Sequence, residues 1–450
     1  MKFLVRDEEL QACLEAFEGI STQEAGDRIV VVTGDSGVGK TALIQKALQK
    51  QDLPYVRVQF DERYSTSEVA ALLAAEIRQR FDLSEEAFPT ESTLEDVVGN
   101  ARRLSIEEPF IIVIDGITHF AALERFFPKG NRRAKTHLGL VLVGVDEDEG
   151  VALLRERPGK NFLHIDLKPF TTAQLRRVHG RLAKKATPED LLMFYALTGG
   201  VPRLVSFLAD ESEVTAEGLF KYLFAKRGEG YRAMAELRLT RALGAAGALY
   251  WRLLEVAAME PVEWDQFERV AEGGQLSPYV ERLENRYGLL KRPEVLLAKQ
   301  RRGVRYVVED AQLRTWLTFV APLELRTRIE AGDAAGAVVR ARLRRERFLR
   351  WALVKWFKAS RRERETVSGT LLGEWRGRGT VGVIDLAVFD AERNRFELSE
   401  INLHVGSARP EQLEERAKIF LREVKALKNP AFSAAIEVAP ILQSLTLEDL

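Results

Sequence analysis

The chain has 450 residues, 46% of them hydrophobic and 30% charged, and its 67 Lys and Arg are matched by 67 Asp and Glu. This composition excludes disordered and membrane-spanning classes, and zero net charge confines any nucleic-acid site to a local patch; at roughly 100 to 200 residues per domain, the length predicts about three folding units. No run reaches the roughly 18 apolar residues of a span, "MKFLVRDEELQACLEAF" lacks a secretory apolar region, and the single Cys13 forms no internal disulfide, so a cytoplasmic protein with no membrane contact is expected.

Leu10, Leu14 and Phe17 recur at helical spacing, and "DRIVVVTG" then reads as a buried strand entering a Gly-rich turn. "PYVRVQF" (Pro54 to Phe60), "PFIIVID" (Pro109 to Asp115) and "HLGLVLVG" (His137 to Gly144) are further β-rich runs separated by helical stretches. That alternation predicts an α/β domain, a parallel sheet with helices on both faces. "NFLHIDLKPF" (Asn161 to Phe170) closes the sheet, and "TTAQLRRVHGRL" opens a helical segment with Thr171 or Thr172 as N-cap. The expected domains are thus a nucleotide-binding sheet over 1-168 and a helical lid over 169-238.

Over 239-322, "ALYWRLLEVAAM", "EWDQFERVAE" and "SPYVERLENRYGLL" read as three short helices, the third with Ser277 as N-cap and Pro278 at the first helical position. "EVLLAKQRRGVRYVV" alternates around Arg301, Arg302 and Gly303 like a β-hairpin, which makes the segment a winged helix-turn-helix. Glu281 and Glu284 on its third helix favour protein contact over DNA there, because they repel phosphates. Over 323-450 the pattern predicts a long Arg-rich helix, two strands joined at "DAERN", a helix from Pro410 to Leu427 and a last apolar strand.

"GDSGVGKT" comprises Gly34, Asp35, Ser36, Gly37, Val38, Gly39, Lys40 and Thr41, and matches the P-loop pattern G-x-x-x-x-G-K-[ST] between a strand and a helix. Its glycines let backbone N–H groups converge on phosphates, and the helix N-terminus adds partial positive charge. Lys40 then reaches the outer phosphates, while the Thr41 hydroxyl and the strand-end Asp115 are the expected magnesium ligands. Many such enzymes carry an acidic residue after that Asp, but here Gly116 follows. Loss of a general base removes a factor of roughly 100 to 10,000 from hydrolysis without touching binding, so slow turnover is expected. Thr118, His119, Asp61 and Glu62 are the candidate replacements, each with a plain loop-residue reading beside it.

Residues 1 to about 322 resemble the archaeal-type ATPase family of the STAND class of P-loop proteins. "FLVRDEEL" (Phe3 to Leu10) is similar to its opening motif, with Val5 in place of a Gly. "TGGVPRLV" (Thr198 to Val205) resembles its Gly-x-Pro signature, which implies that Pro202 lies near adenine; by itself the stretch reads as a turn. "YVVEDAQLRTWLTFVAP" (Tyr306 to Pro322) is similar to the segment that ends the winged helix, and Val145 stands where a polar sensor is often found. The resemblance implies ATP with magnesium and a switch role.

The long helix carries Arg340, Arg342, Arg344, Arg345, Arg347, Arg350, Lys355, Lys358, Arg361, Arg362 and Arg364 against Glu346 and Glu363, with Trp351 and Trp356 among them. Two readings stand. Either Arg344, Arg345 and Arg347 track a DNA backbone, or Leu343, Phe348, Leu353 and Trp356 make core while the arginines are solvated or paired. "VIDLAVFDAERNRFELSEIN" resembles the restriction-endonuclease-like domain often fused to this family, similar to PD-(D/E)xK nucleases. Asp385 and Glu400 match its metal-gathering acids, but Asn402 replaces the Lys and Val383 a Glu, so an inactive, binding domain is expected. The favoured function is an ATP-binding switch acting on a DNA or protein partner or as a homo-oligomer; the alternative is a DNA-processing ATPase with an active nuclease.

Overall fold

Five apolar runs become strands β1 (Arg28–Thr33), β2 (Tyr55–Gln59), β3 (Phe110–Ile117), β4 (Leu138–Gly144) and β5 (Phe162–Asp166). They pair in parallel in the order β2-β3-β4-β1-β5. The computed structural model describes residues 6–22, 27–60, 64–90, 93–117, 136–144, 161–183, 185–211, 213–244, 247–271, 275–293, 304–364, 371–376, 382–390, 393–404, 410–426, 432, 435 and 438–450. Two compact units divide the chain, Met1–Pro169 and Phe170–Leu450.

In the first unit, period-two alternation sends neighbouring strand residues to opposite faces. Val30, Val32, Ile111 and Val113 pack against α1 (Asp7–Ser21) and α2 (Lys40–Leu48). Val56, Val58, Ile112 and Ile114 pack instead against α3 (Thr66–Phe81) and α4 (Leu94–Leu104). A sheet covered on both faces needs apolar residues at every position, which is why these strands read as continuous runs. The caps are local: Ser65 and Glu68 form a capping box at α3, and Thr93 accepts from the Asp96 amide at α4. β1 lies between β4 and β5, so the segment after it emerges at the carboxyl ends of the strands, where open α/β sheets bind ligands.

The second unit opens with α5 (Thr172–Leu182), α6 (Pro188–Thr198), α7 (Pro202–Glu211), α8 (Ala216–Tyr222) and α9 (Glu229–Leu243). Thr171 caps α5 and forms a box with Gln174. The three helices expected next are α10 (Ala248–Met259), α11 (Trp264–Ala271) and α12 (Ser277–Glu281), which continues as a π turn through Arg282–Arg286. Ser277 was expected as the N-cap of α12 but is its first helical residue; Leu276 takes the cap position, with no side-chain bond to the amides. Strands β6 (Val262–Glu263) and β7 (Arg305–Tyr306) pair antiparallel over a core that includes Leu253, Phe267, Leu283 and Trp316. Arg301, Arg302 and Gly303, on which the expected hairpin turned, lie outside the described residues.

Three more helices follow, α13 (Ala311–Phe319), α14 (Leu323–Glu330) and the 31-residue α15 (Ala334–Arg364). Arg314 is buried, donating to the Ala258 carbonyl at 2.9 Å and the Phe348 carbonyl at 3.0 Å, with its guanidinium 4.4 Å from the Phe348 ring centre. At the far end of α15, Glu363 accepts from the Thr172 amide at 2.7 Å and the Thr172 hydroxyl at 2.6 Å. Phe348, Leu353 and Trp356 are buried, as the core reading of this helix requires, but Leu343 is 79% exposed.

The tail contains β8 (Leu371–Arg376), β9 (Val383–Asp390), β10 (Arg395–Ile401), α16 (Pro410–Ala426) and β11 (Ile441–Leu445). β8, β9 and β10 form an antiparallel meander, and β11 joins β10 in parallel. Trp375, Phe396 and Phe420 centre its core. β8 was not expected: "LLGEWR" lacks a clean alternation, because Glu374 is buried beside Arg305 and Lys358. Among the described residues no helix is long and apolar enough to cross a membrane.

Candidate nucleotide site

The loop between β1 and α2 is built around close backbone approach. Gly34 has φ of 133°, and a Cβ there would stand 2.2 Å from the Leu167 carbonyl oxygen, so no side chain fits between the loop and the strand end beside it. Lys40 folds back over the loop, donating to the Gly34 carbonyl at 2.6 Å and the Asp35 carbonyl at 2.9 Å. Gly39 caps α2, whose first amides have no partner within the helix and are oriented along its positive end. Arg6 supports the loop from behind. Its buried guanidinium donates to the Val38 carbonyl at 3.1 Å, the Lys168 carbonyl at 2.5 Å and Glu9 at 2.8 Å.

Asp115 is buried near the carboxyl end of β3, and its Oδ2 accepts from the Thr41 hydroxyl at 2.8 Å and from the Arg57 guanidinium at 2.7 Å. A hydroxyl and a carboxylate brought together beside a phosphate-type loop are the hard oxygen donors that magnesium takes. The residues therefore fit the group: Gly34 to Thr41 offer amides and Lys40 to phosphates, and Thr41 with Asp115 would hold the cation. Arg57 was not singled out in the sequence, where one Arg in "YVRVQF" reads as an outward position of a strand.

Gly116 has a backbone explanation that its sequence reading lacked. It has φ of 92°, and an added Cβ would lie 2.5 Å from the Phe60 carbonyl oxygen and 2.7 Å from Gln59 Nε2. The β3–β4 register shifts between Asp115 and Ile117, so Gly116 is the point where β3 bends out of its ladder. An acidic side chain is thus sterically excluded here. The candidates Thr118, His119, Asp61 and Glu62, together with Val145, lie outside the described residues. Pro202 is in the second unit, where it is the first residue of α7; Thr198 to Val201 form a turn, and the Phe170 amide donates to the Gly200 carbonyl at 2.8 Å.

In the tail, both nuclease-type acids are bonded to arginines. Arg350 donates to both oxygens of Asp385 at 3.0 Å, the Ile401 amide adds a bond at 2.9 Å, and burial pushes the Asp385 carboxyl up from its ordinary range despite that guanidinium. Glu400 accepts from Arg416 at 3.3 Å. The backbone N–H of Asn402 donates to the Leu445 carbonyl at 3.0 Å and so extends the β10–β11 join. Among the described residues no group of three or more His, Cys, Asp or Glu is placed to hold a metal.

The expected basic stripe on α15 is divided. Arg345 is only 17% exposed, bonded to Glu189 at 2.6 Å and Glu217 at 3.2 Å with the Phe220 ring beneath it, so it faces the unit's interior. Arg344 pairs with Glu324 at 3.3 Å, and the 67% exposed Arg347 stands 3.9 Å from Glu260.

Residues 2–142 match the family model of the AAA ATPase domain. That stretch is thus similar to an AAA-type ATPase domain. No curated protein matches the chain. Among solved structures it is similar to a Walker-type ATPase of Pyrococcus abyssi, at 18% identity over 70% of this chain and 96% of that one with a TM-score of 0.45. It is also similar to a STAND protein with a tetratricopeptide repeat sensor from Pyrococcus horikoshii, at 16% identity, 96% of this chain, 54% of that one and a TM-score of 0.31. Cdc6p from Pyrobaculum aerophilum is similar at 15% identity over 76% of this chain and 96% of that one, with a TM-score of 0.34. The AAA-type match covers the P-loop, Arg57 and Asp115.

Proposed function

We propose that the protein is an ATP-binding switch ATPase of the cytoplasm that holds its nucleotide far longer than it takes an ordinary enzyme to hydrolyse it. The observation that carries this reading is the Thr41–Asp115 bond of 2.8 Å beside a complete P-loop, next to a Gly116 that admits no side chain. The amides of Gly34 to Thr41 bind the phosphates, and Lys40 exchanges its loop carbonyls for the outer phosphate oxygens. Thr41 and Asp115 would hold magnesium, which would supply charge neutralisation on the phosphates. Nothing at Gly116 orients a water, so that role falls to one of Thr118, His119, Asp61 or Glu62, and turnover is expected well below the common enzyme value of about 10 per second.

ATP at a hundred times its dissociation constant should stabilise the wild type by about 2.7 kcal/mol in a magnesium buffer. In Lys40→Ala the thermal shift should vanish. A shift that survives this change places the nucleotide elsewhere.

The tail supports a second, dependent reading as a binding module. Arg350 on Asp385 and Arg416 on Glu400 already neutralise the two acids that a nuclease would turn to metal. Its partner is DNA reached through the half-buried Arg344 and the exposed Arg347, a protein, or another copy of the chain. Plasmid incubated with magnesium or manganese should stay intact. Cleavage that Asp385→Ala abolishes would favour the DNA-processing alternative.

A further inference from the structure

We propose that Arg57 is a positioning residue of the nucleotide site: it neutralises Asp115 and so allows phosphates to be held beside that carboxylate without a divalent cation. This rests on the ATP reading above. Arg57 and Asp115 come together through the sheet. In the parallel β2–β3 ladder Arg57 is level with Val113 and Gln59 with Asp115, so Arg57 and Asp115 lie two residues apart on the same face of adjacent strands, within reach of a long side chain. Val56 and Val58 are buried on the opposite face, which fixes the register and therefore the side on which Arg57 emerges.

The contact is specific in its atoms. Arg57 Nη2 and Thr41 Oγ1 both bond Asp115 Oδ2, at 2.7 and 2.8 Å. A carboxylate oxygen has about two lone-pair directions, and these two donors take them. A divalent cation binding directly through Oδ2 must therefore displace one of them, Arg57 or the Thr41 hydroxyl. Asp115 is only 8% exposed in its side chain, so its charge is poorly screened by water. Left without a cation it would repel phosphates on the loop; with Arg57 in place that repulsion is cancelled. Lys40 supplies charge at the loop itself, and Arg57 is a second cation that acts through Asp115.

The consequence is a weak dependence of ATP binding on magnesium. Calorimetric titration of the full chain with ATP, in magnesium and in EDTA, gives the ratio of the two dissociation constants. That ratio should rise at least about tenfold in Arg57→Gln, almost wholly through weaker binding in EDTA, while Arg57→Lys, which keeps the charge, should stay within about threefold of wild type. A merely structural loss in Arg57→Gln would weaken both constants alike and leave the ratio where it was. An unchanged ratio, with ATP still bound, overturns the role of Arg57 alone. No ATP binding by the wild type in either buffer overturns the ATP reading and this role with it.

Discussion

Gly116 offers a direct test of the backbone account of the site, through Gly116→Ala and Gly116→Glu. A residue with a Cβ held at a left-handed φ costs about 1 to 2 kcal/mol. The added carbon at 2.5 Å from the Phe60 oxygen forces a further shift, and the obstacle is main chain, anchored by the Phe60 amide on the Asp115 carbonyl at 2.6 Å. Overpacking of this kind costs about 1 to 3 kcal/mol, so the two together remove roughly 2 to 5 kcal/mol. For a unit of this size that is a fall of roughly 4 to 20 °C in melting temperature. All six Trp residues, Trp251 onward, belong to the second unit, so tryptophan fluorescence does not report on the first unit from within it. Far-UV circular dichroism or hydrogen exchange on β3 is needed. The Glu variant, although it adds a carboxylate where many such enzymes have one, should be no faster than wild type. Wild-type stability in both variants, with faster hydrolysis in Gly116→Glu, would refute the steric reasoning and reopen the position to a base.

Cys13 is buried, and burial, with Glu9 adding to it, pushes its thiol up to about 12, so the native protein should not react with a disulfide reagent at pH 8 and should show one thiol once denatured. Its folded value exceeds the ordinary 9, so the associated stability is complete below pH 9 and is lost as pH rises towards 12, which a Cys13→Ala comparison of denaturation midpoints across that range would detect. Arg314→Ala deprives the Ala258 and Phe348 carbonyls of their buried donor; about 1 to 3 kcal/mol for each carbonyl should appear in a urea titration followed by tryptophan fluorescence, and an unshifted midpoint would show that water replaces the guanidinium.

The strands of the first unit were legible because a sheet buried on both faces writes itself as apolar runs, and the P-loop because close approach to phosphate demands particular residues at fixed spacing. What lay beyond local pattern was not. Arg57 became a candidate only through the register that sets it beside Asp115, a relation between strands 58 positions apart. Gly116 read as a missing acid, since nothing in "VIDGI" announces a positive φ or the approach of Phe60. On α15, Arg344 and Arg345 are neighbours in sequence, yet the helix turns them to different surroundings, and the acids that take Arg345 come from α6 and α8. β8 escaped notice because its buried Glu374 is tolerable only with Arg305 and Lys358 beside it.

The bond between Thr172 and Glu363 joins groups 191 positions apart, and with it the beginning and the later part of the second unit. Thr172 opens α5, whose N-terminal amide therefore waits for a carboxylate that the ribosome delivers 191 residues later. Contacts of such separation close late, because the entropy of the intervening loop must be overcome before they return anything. The edge-on packing of Tyr195 against Trp356 has the same character. The helices α5, α6 and the far part of α15 thus complete one another late despite their separate sequence signatures, and a nascent chain carrying only α5 and α6 leaves the Thr172 amide and the Tyr195 ring without the partners that α15 brings.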